Sequence, residues 1–258
     1  MYWYDGELIN SNQIQLDISE PGLLYGATVF TTMRVYDQSL EHPLTDWLAH
    51  CDRLKQSIQV FEWRQPQWSR LKHGASMLLE NFSILRMVVF PDGKELITGR
   101  NLPEDLIQRQ KEGIVAWVAT EKKFQRSLAQ HKTGNYLSAY LARNHALKRN
   151  ATEAILIDEK ENWLETSTGN LWGWRDGSWY TPLVNSGILP GIARSHLLNY
   201  FHQNNILVTE KIWSIDFIKQ LQGLAYSNCV VEIVPIKEVL YLGECLHYQT
   251  INLPFLSK

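Results

Sequence analysis

Between Ala154 and Thr181 the chain reads as strand and turn with little else. Ala154-Ile155-Leu156-Ile157-Asp158 is an apolar, β-branched run, a turn follows, and Trp163-Leu164-Glu165 continues the pattern. Glu165 then opens into small polar residues, Thr166-Ser167-Thr168-Gly169-Asn170. Leu171 to Thr181 reads as a hairpin with Asp176-Gly177 at its turn, because Asp-Gly suits the positive φ that a type I′ turn needs at both central positions. Runs this short are strands that must find partners, and they place a sheet in this half of the chain.

The remaining segments alternate between the two periods. Trp3-Tyr4-Asp5-Gly6-Glu7-Leu8-Ile9 opens the chain as a second Asp-Gly hairpin. Pro21 to Gly26 reads as a turn, and Ala27 to Tyr36, rich in β-branched and aromatic residues, as a strand. Residues 45–61 have helical spacing at Leu48, Cys51, Leu54, Ile58 and Phe61, with Thr45 or Asp46 as the cap. A second helix is expected over 67–81 and a strand over 84–90, closed by Pro91-Asp92-Gly93. Residues 103–113 are polar and lack alternation, so the boundary between two domains falls there. Ile114 to Ala119 starts a second strand set, 137–149 is a helix, and Pro190-Gly191 leads into a helix reaching Tyr200. A strand over 207–213 and a short helix over 214–220 follow. Tyr226 to Pro235 reads as a polar turn giving way to a strand. The chain is therefore mixed α and β in two unequal domains, 1–108 and 113–258.

Composition narrows the function classes. With 45% hydrophobic and 20% charged residues, the 258-residue chain suits a soluble globular enzyme. Its net charge of −2 advertises neither nucleic acid nor an anionic membrane. Three dispersed cysteines, Cys51, Cys229 and Cys245, make no disulfide framework and point to a reducing compartment. The N-terminus does not read as a signal peptide, and no window approaches the roughly 20 apolar residues of a membrane span. The expected location is the cytoplasm. The eight histidines show no HExxH and no zinc spacing, so no metal is expected. The ten tryptophans are read as core residues, a stacking surface being the alternative.

Chemistry concentrates in two stretches. His131-Lys132-Thr133-Gly134-Asn135-Tyr136-Leu137 sets an amine among small and polar residues just ahead of a helix, and Glu165 ends a strand some thirty residues on. An amine and a lone carboxylate in such places suit a carbonyl cofactor, the lysine forming an imine and the carboxylate holding a proton on a ring nitrogen. Each alone is more often a surface residue. Arg53, on the first long helix, could grip a phosphate through its planar fork or be solvated. Leu189-Pro190-Gly191-Ile192-Ala193-Arg194 starts a helix whose first amides, at Ile192 and Ala193, make an anion seat. Ser227 and Asn228 could add donors, or simply cap a turn.

In this order these pieces resemble the fold type IV pyridoxal phosphate enzymes, the class IV aminotransferases. The likeness runs from about Gly6 to Pro235. It rests on Leu24 to Phe30, Cys51-Asp52-Arg53-Leu54, His131 to Asn135, Glu165 to Leu171, and Leu189 to Arg194. It implies a smaller N-terminal α/β domain, a larger, β-rich C-terminal cofactor-binding domain, pyridoxal 5′-phosphate as cofactor, and a homodimer. It also implies that Lys132 binds the cofactor and moves protons, and that Glu165 pairs with the pyridine nitrogen. Arg53, the Ile192 and Ala193 amides, and Ser227 with Asn228 would then hold the phosphate, while Tyr136 reaches the ring hydroxyl.

Within the family, Phe30-Thr31-Thr32 followed by Arg34-Val35 looks like the 4-amino-4-deoxychorismate lyases, which release 4-aminobenzoate and pyruvate for folate synthesis. Thr32 would guide a proton or the leaving group, and Arg100 would meet a substrate carboxylate. An aminotransferase acting on branched-chain or D-amino acids is the alternative, and Tyr136 leans that way. A tryptophan-rich, non-enzymatic binding module is the remote one.

Overall fold

A computed structural model describes residues 1–250 in two compact units. The first comprises Met1–Pro103 together with His131–Asn135, and the second Glu104–Gln130 with Tyr136 onward. The compact units part at Pro103 and Glu104, and the lysine-bearing segment is a return of the chain to the first.

In the first unit, β1 (Tyr2–Tyr4) and β2 (Glu7–Ile9) form the opening hairpin, with Asp5 and Gly6 at positive φ. Pro21–Tyr25 is a short helix, α1, ended by Gly26 at φ 64°, where a plain turn was expected. β3 (Val29–Arg34), α2 (Trp47–Val60), α3 (Trp68–Ser76), β4 (Ile84–Val89) and β5 (Glu95–Arg100) complete it. The strands make one antiparallel sheet in the order β2-β1-β5-β4-β3. Asp46 caps α2 by accepting from the Ala49 amide, as its position suggested. Leu48, counted in the apolar stripe of α2, is instead 71% exposed, and Trp47, Cys51, Leu54 and Ile58 carry the packing. They join Trp3, Met33, Leu85, Met87 and Ile97 in one core. β5 escaped the sequence reading because its six residues do not alternate cleanly.

The second unit begins with α4 (Leu106–Glu112), in the stretch read as a domain boundary without periodicity. Buried Leu106, an Asp105–Arg109 pair one turn apart and a hydrogen bond from Gln110 to the Val231 carbonyl hold it. β6 (Ile114–Ala119), α5 (Leu137–Leu147), β7 (Glu153–Ile157), β8 (Trp163–Thr166), β9 (Asn170–Arg175) and β10 (Ser178–Pro182) follow. Then come α6 (Ile192–Gln203), β11 (Val208–Lys211), α7 (Ile215–Ile218), β12 (Gly223–Asn228), β13 (Glu232–Tyr241) and β14 (Glu244–His247). The sheet runs β11-β10-β9-β12-β13-β6-β7-β8, with β14 on β13, and β8 pairs again with β9. Six strands therefore close on themselves, and the closing pair is Glu165 with Asn170. Ser227 and Asn228, expected in a turn, end strand β12. The mixed α/β class with a β-rich second part is what the sequence led us to expect.

None of the ten tryptophans is among the exposed large apolar residues, and Trp163, Trp172 and Trp213 are fully buried. Among the described residues no helix is long and apolar enough to cross a membrane.

Gly74 in α3 lies under the ring of Trp3, and a Cβ there would come within 2.5 Å of three ring atoms. Trp3 cannot swing away cheaply, because its indole N–H donates to Glu95 at 3.2 Å and Arg70 clamps Glu95 at 2.7 Å. A helical Gly→Ala change ordinarily gains about 1 kcal/mol. Gly74→Ala is expected to lose about 1–3 kcal/mol from overpacking instead, read from the urea midpoint. A raised midpoint would show that the ring yields.

Candidate functional site

Lys132 sits in a segment stitched to β3. The Phe30 amide donates to the Lys132 carbonyl at 2.8 Å, Val29 bridges Thr133, and the Gly134 amide donates to the Thr28 carbonyl at 2.7 Å. Gly134 is required by close approach, since a Cβ there would meet the Gly26 carbonyl oxygen at 2.6 Å. His131 anchors the segment to α2 through Ser57, 3.0 Å from Nδ1, and through the Phe61 ring. The Lys132 amine, half-buried, lies 4.8 Å from the centre of the Phe30 ring.

Strand alternation then sorts the neighbouring residues. Phe30 and Thr32 leave one face of β3, and Arg86, the cross-strand partner of Thr32, stacks on the Phe30 ring at 3.5 Å. Thr32 thus shares the face that carries the Lys132 amine. Thr31 leaves the other face, fully buried, and bonds His50 at 2.6 Å and Arg53 of α2. Arg100 is exposed at the last position of β5.

The second unit holds the carboxylate. Glu165 is 3% exposed, and a carboxylate so placed needs partners. It has the guanidinium of Arg126, itself almost buried, and the Leu189 amide at 3.1 Å. Arg126 also lies 5.0 Å from the centre of the Tyr136 ring and donates to the Ala129 carbonyl. Asn170, paired with Glu165 across the strand closure, donates to the Leu189 carbonyl at 2.8 Å. Both polar groups of Leu189 are therefore held by residues flanking the β8–β9 turn, three residues before α6 begins.

That pinning places the start of α6 beside Glu165. Gly191 precedes the helix, and no side chain caps it. The amides of Ile192 and Ala193 stand at the first two helical positions, which have no intrahelical acceptor. A Cβ on Gly191 would collide with the Asn170 amide oxygen, so only glycine allows this approach. Ser227 is buried and its hydroxyl accepts from the Trp172 indole at 2.8 Å. The Asn228 side-chain oxygen Oδ1 accepts from the Val230 and Val231 amides at 2.9 and 3.0 Å, an Asx turn.

Several residues that matter here went unnoticed in the sequence. Arg126 stands in Phe124-Gln125-Arg126-Ser127 with no pattern around it. Glu153 lies wholly inside the second unit, accepting from Ser167 at 2.6 Å and Thr168 at 2.9 Å. Thr168 in turn accepts from Asn228 at 3.4 Å, so Glu153 ties the carboxylate turn to the end of β12. Glu153 had read only as the residue before an apolar run.

A profile of the amino-transferase class IV family matches residues 28–239. The branched-chain-amino-acid aminotransferase of Salmonella typhimurium is 24% identical, over 94% of this chain and 86% of its own. The D-alanine aminotransferase of Staphylococcus aureus is 33% identical over 41% of this chain and 37% of its own. Among solved structures, the Escherichia coli branched-chain amino acid aminotransferase superposes with a TM-score of 0.81 at 22% identity, covering 98% of this chain and 89% of that one. The Thermoproteus uzoniensis branched-chain aminotransferase gives 0.78 at 22% identity, covering 94% and 89%.

Two stability measurements follow from this geometry. Arg126→Met strips the cation from a buried carboxylate and is expected to cost about 3–5 kcal/mol, most of it recovered when Glu165→Gln is added. Urea unfolding of the two singles and the double checks this, and additive losses would deny the pairing. Burial pushes the Glu153 carboxyl above its usual 4.5, against the pull of Ser167, Arg143 and Thr168. As pH rises past 4.5 the unfolded chain gives up this proton before the folded one, so stability falls until the folded group titrates. Glu153→Gln is expected to flatten that decline, and an unchanged slope in a pH series of unfolding midpoints would assign it to another group.

Proposed function

The chain belongs to the class IV aminotransferases, and on that premise we propose that it moves the amino group of an apolar α-amino acid to a keto acid, using pyridoxal 5′-phosphate. The observation carrying this reading is the tie through Leu189 between a buried carboxylate and an uncapped helix start. A carboxylate suits a protonated ring nitrogen, and helix amides suit a phosphate, so the residues present fit that cofactor. The substrate class is taken from relatives matched over nearly the whole chain, which are branched-chain aminotransferases.

Bound, pyridoxal phosphate supplies an aldehyde that takes up amines and a ring that draws electrons from the carbon beside the nitrogen. Lys132 is the amine this chain offers to it. With the cofactor and substrate in place, Nζ of Lys132 would take the proton from the substrate's α-carbon and later return one. Glu165 holds a proton on the ring nitrogen, and Arg126 with the Leu189 amide holds Glu165. The Ile192 and Ala193 amides, Arg53 and the Ser227 hydroxyl hold the phosphate, while Asn228 shapes the turn beside it. Tyr136 serves the ring hydroxyl. Thr32 and Arg100 serve the substrate, one as a hydroxyl and one as a carboxylate partner. Assembly as a homodimer belongs to the same proposal and is checked by light scattering.

The lyase reading is kept as the second one because Phe30-Thr31-Thr32 carries it. In the structure Thr31 is held by His50 and Arg53, so part of that motif serves packing within the first unit.

The deciding measurement loads the chain with pyridoxal phosphate, removes the excess and offers single amino acids without an acceptor. L-Leucine, L-isoleucine or L-valine is expected to yield one equivalent of keto acid, and Lys132→Ala to slow this at least about a hundredfold. Keto acid from D-amino acids alone would move the assignment to that branch. No keto acid, with equal 4-aminobenzoate and pyruvate from 4-amino-4-deoxychorismate, would instate the lyase. Protein that stays colourless with the cofactor would sink both and leave a binding module.

A further inference from the structure

The hairpin formed by β13 and β14 carries side-chain chemistry that amino transfer does not use. Leu242 and Gly243, at φ 48° and 86°, make its two-residue turn and so set the register. That register puts Glu238 opposite His247 and Leu240 opposite Cys245. Cys245 and His247 are two apart on one strand and leave the same face, and Glu238 leaves it beside them. One ligand atom from each lies within 4.8 Å of the others, and Cys245 Sγ is 4.0 Å from Glu238 Oε2. Cys245 and His247 are exposed and Glu238 is half-buried.

We propose that Glu238, Cys245 and His247 bind one divalent ion of the zinc class, with water completing a four-coordinate shell. A thiolate and an imidazole select a borderline ion, whereas magnesium or calcium would want oxygen ligands throughout. Bonds of about 2.0–2.3 Å in a tetrahedral shell put ligand atoms roughly 3.3–3.7 Å apart, so the three groups must close by about 1 Å. Rotation of exposed side chains supplies that movement without shifting the strands. The thiol passes its proton to solvent, and the thiolate makes the metal–sulfur bond. The bound ion staples β14 to β13. No zinc spacing is visible in the chain because two ligands come from Cys245-Leu246-His247 and the third from the facing strand.

Zinc is titrated calorimetrically into the full chain, free of affinity tags, and into Cys245→Ser, His247→Ala and Glu238→Gln. One ion per chain is expected, with affinity at least tenfold lower in Cys245→Ser and His247→Ala, and smaller losses in Glu238→Gln. Zinc is also expected to protect one thiol from a disulfide reagent, reversed by chelator and absent in Cys245→Ser, since Cys51 is buried and Cys229 half-buried. These surface variants should unfold at the parent's midpoint without zinc, which separates lost ligation from lost folding. Zinc affinity equal to the parent's in the Cys245 and His247 variants, or unchanged labelling of Cys245 by the thiol reagent, would overturn the site.

Discussion

A carboxylate removed from water is tolerable only where the fold brings charge and N–H groups to it. Glu165 meets that condition through Arg126 and the Leu189 amide, and much of the second unit's local order follows. The Leu189 backbone is gripped on both sides, by Glu165 and by Asn170, which fixes where α6 can start. The glycine before the helix is dictated by the same contact, because Asn170 fills the space a Cβ would take. Below the turn, Glu153 gathers the hydroxyls of Ser167 and Thr168 and links them to Asn228. A buried charge, a strand closure and a helix start are thus one constraint.

The first unit solves a different problem, which is to hold the Lys132 segment still. Its answer is to make residues 131–135 part of the β3 edge, with His131 docked on α2 and Gly134 pressed on Gly26. Backbone hydrogen bonds donated by the Phe30 and Gly134 amides fix the main chain on either side of the Lys132 side chain. Thr31 and Thr32, neighbours in the chain, are split between the two faces of β3, so the Phe-Thr-Thr motif does not act as one patch. The relatives matched along most of the chain are aminotransferases.

Much of the architecture was legible because it is local. Asp5-Gly6 and Asp176-Gly177 announced their hairpins through the positive φ each turn demands, and Asp46 announced α2 as a cap does. The order of Arg53, Lys132, Glu165, the Pro190-Gly191 helix start and Ser227-Asn228 pointed to the family. What failed was also physical. Residues 103–113 show no periodicity, yet α4 forms there because Leu106 finds a core and Gln110 finds the Val231 carbonyl. Leu48 matched the helical period and still faces water, since Trp47 takes the packing position beside it.

Local chemistry along the chain therefore determined most of the elements and singled out Lys132 and Glu165. Only the tertiary structure decided which groups support them. Arg126 lies 39 residues from Glu165 in sequence, and Glu153 lies 15 residues from Thr168. A buried charge constrains its partner's distance in space and leaves its position along the chain open, so no pattern in the sequence could have named either.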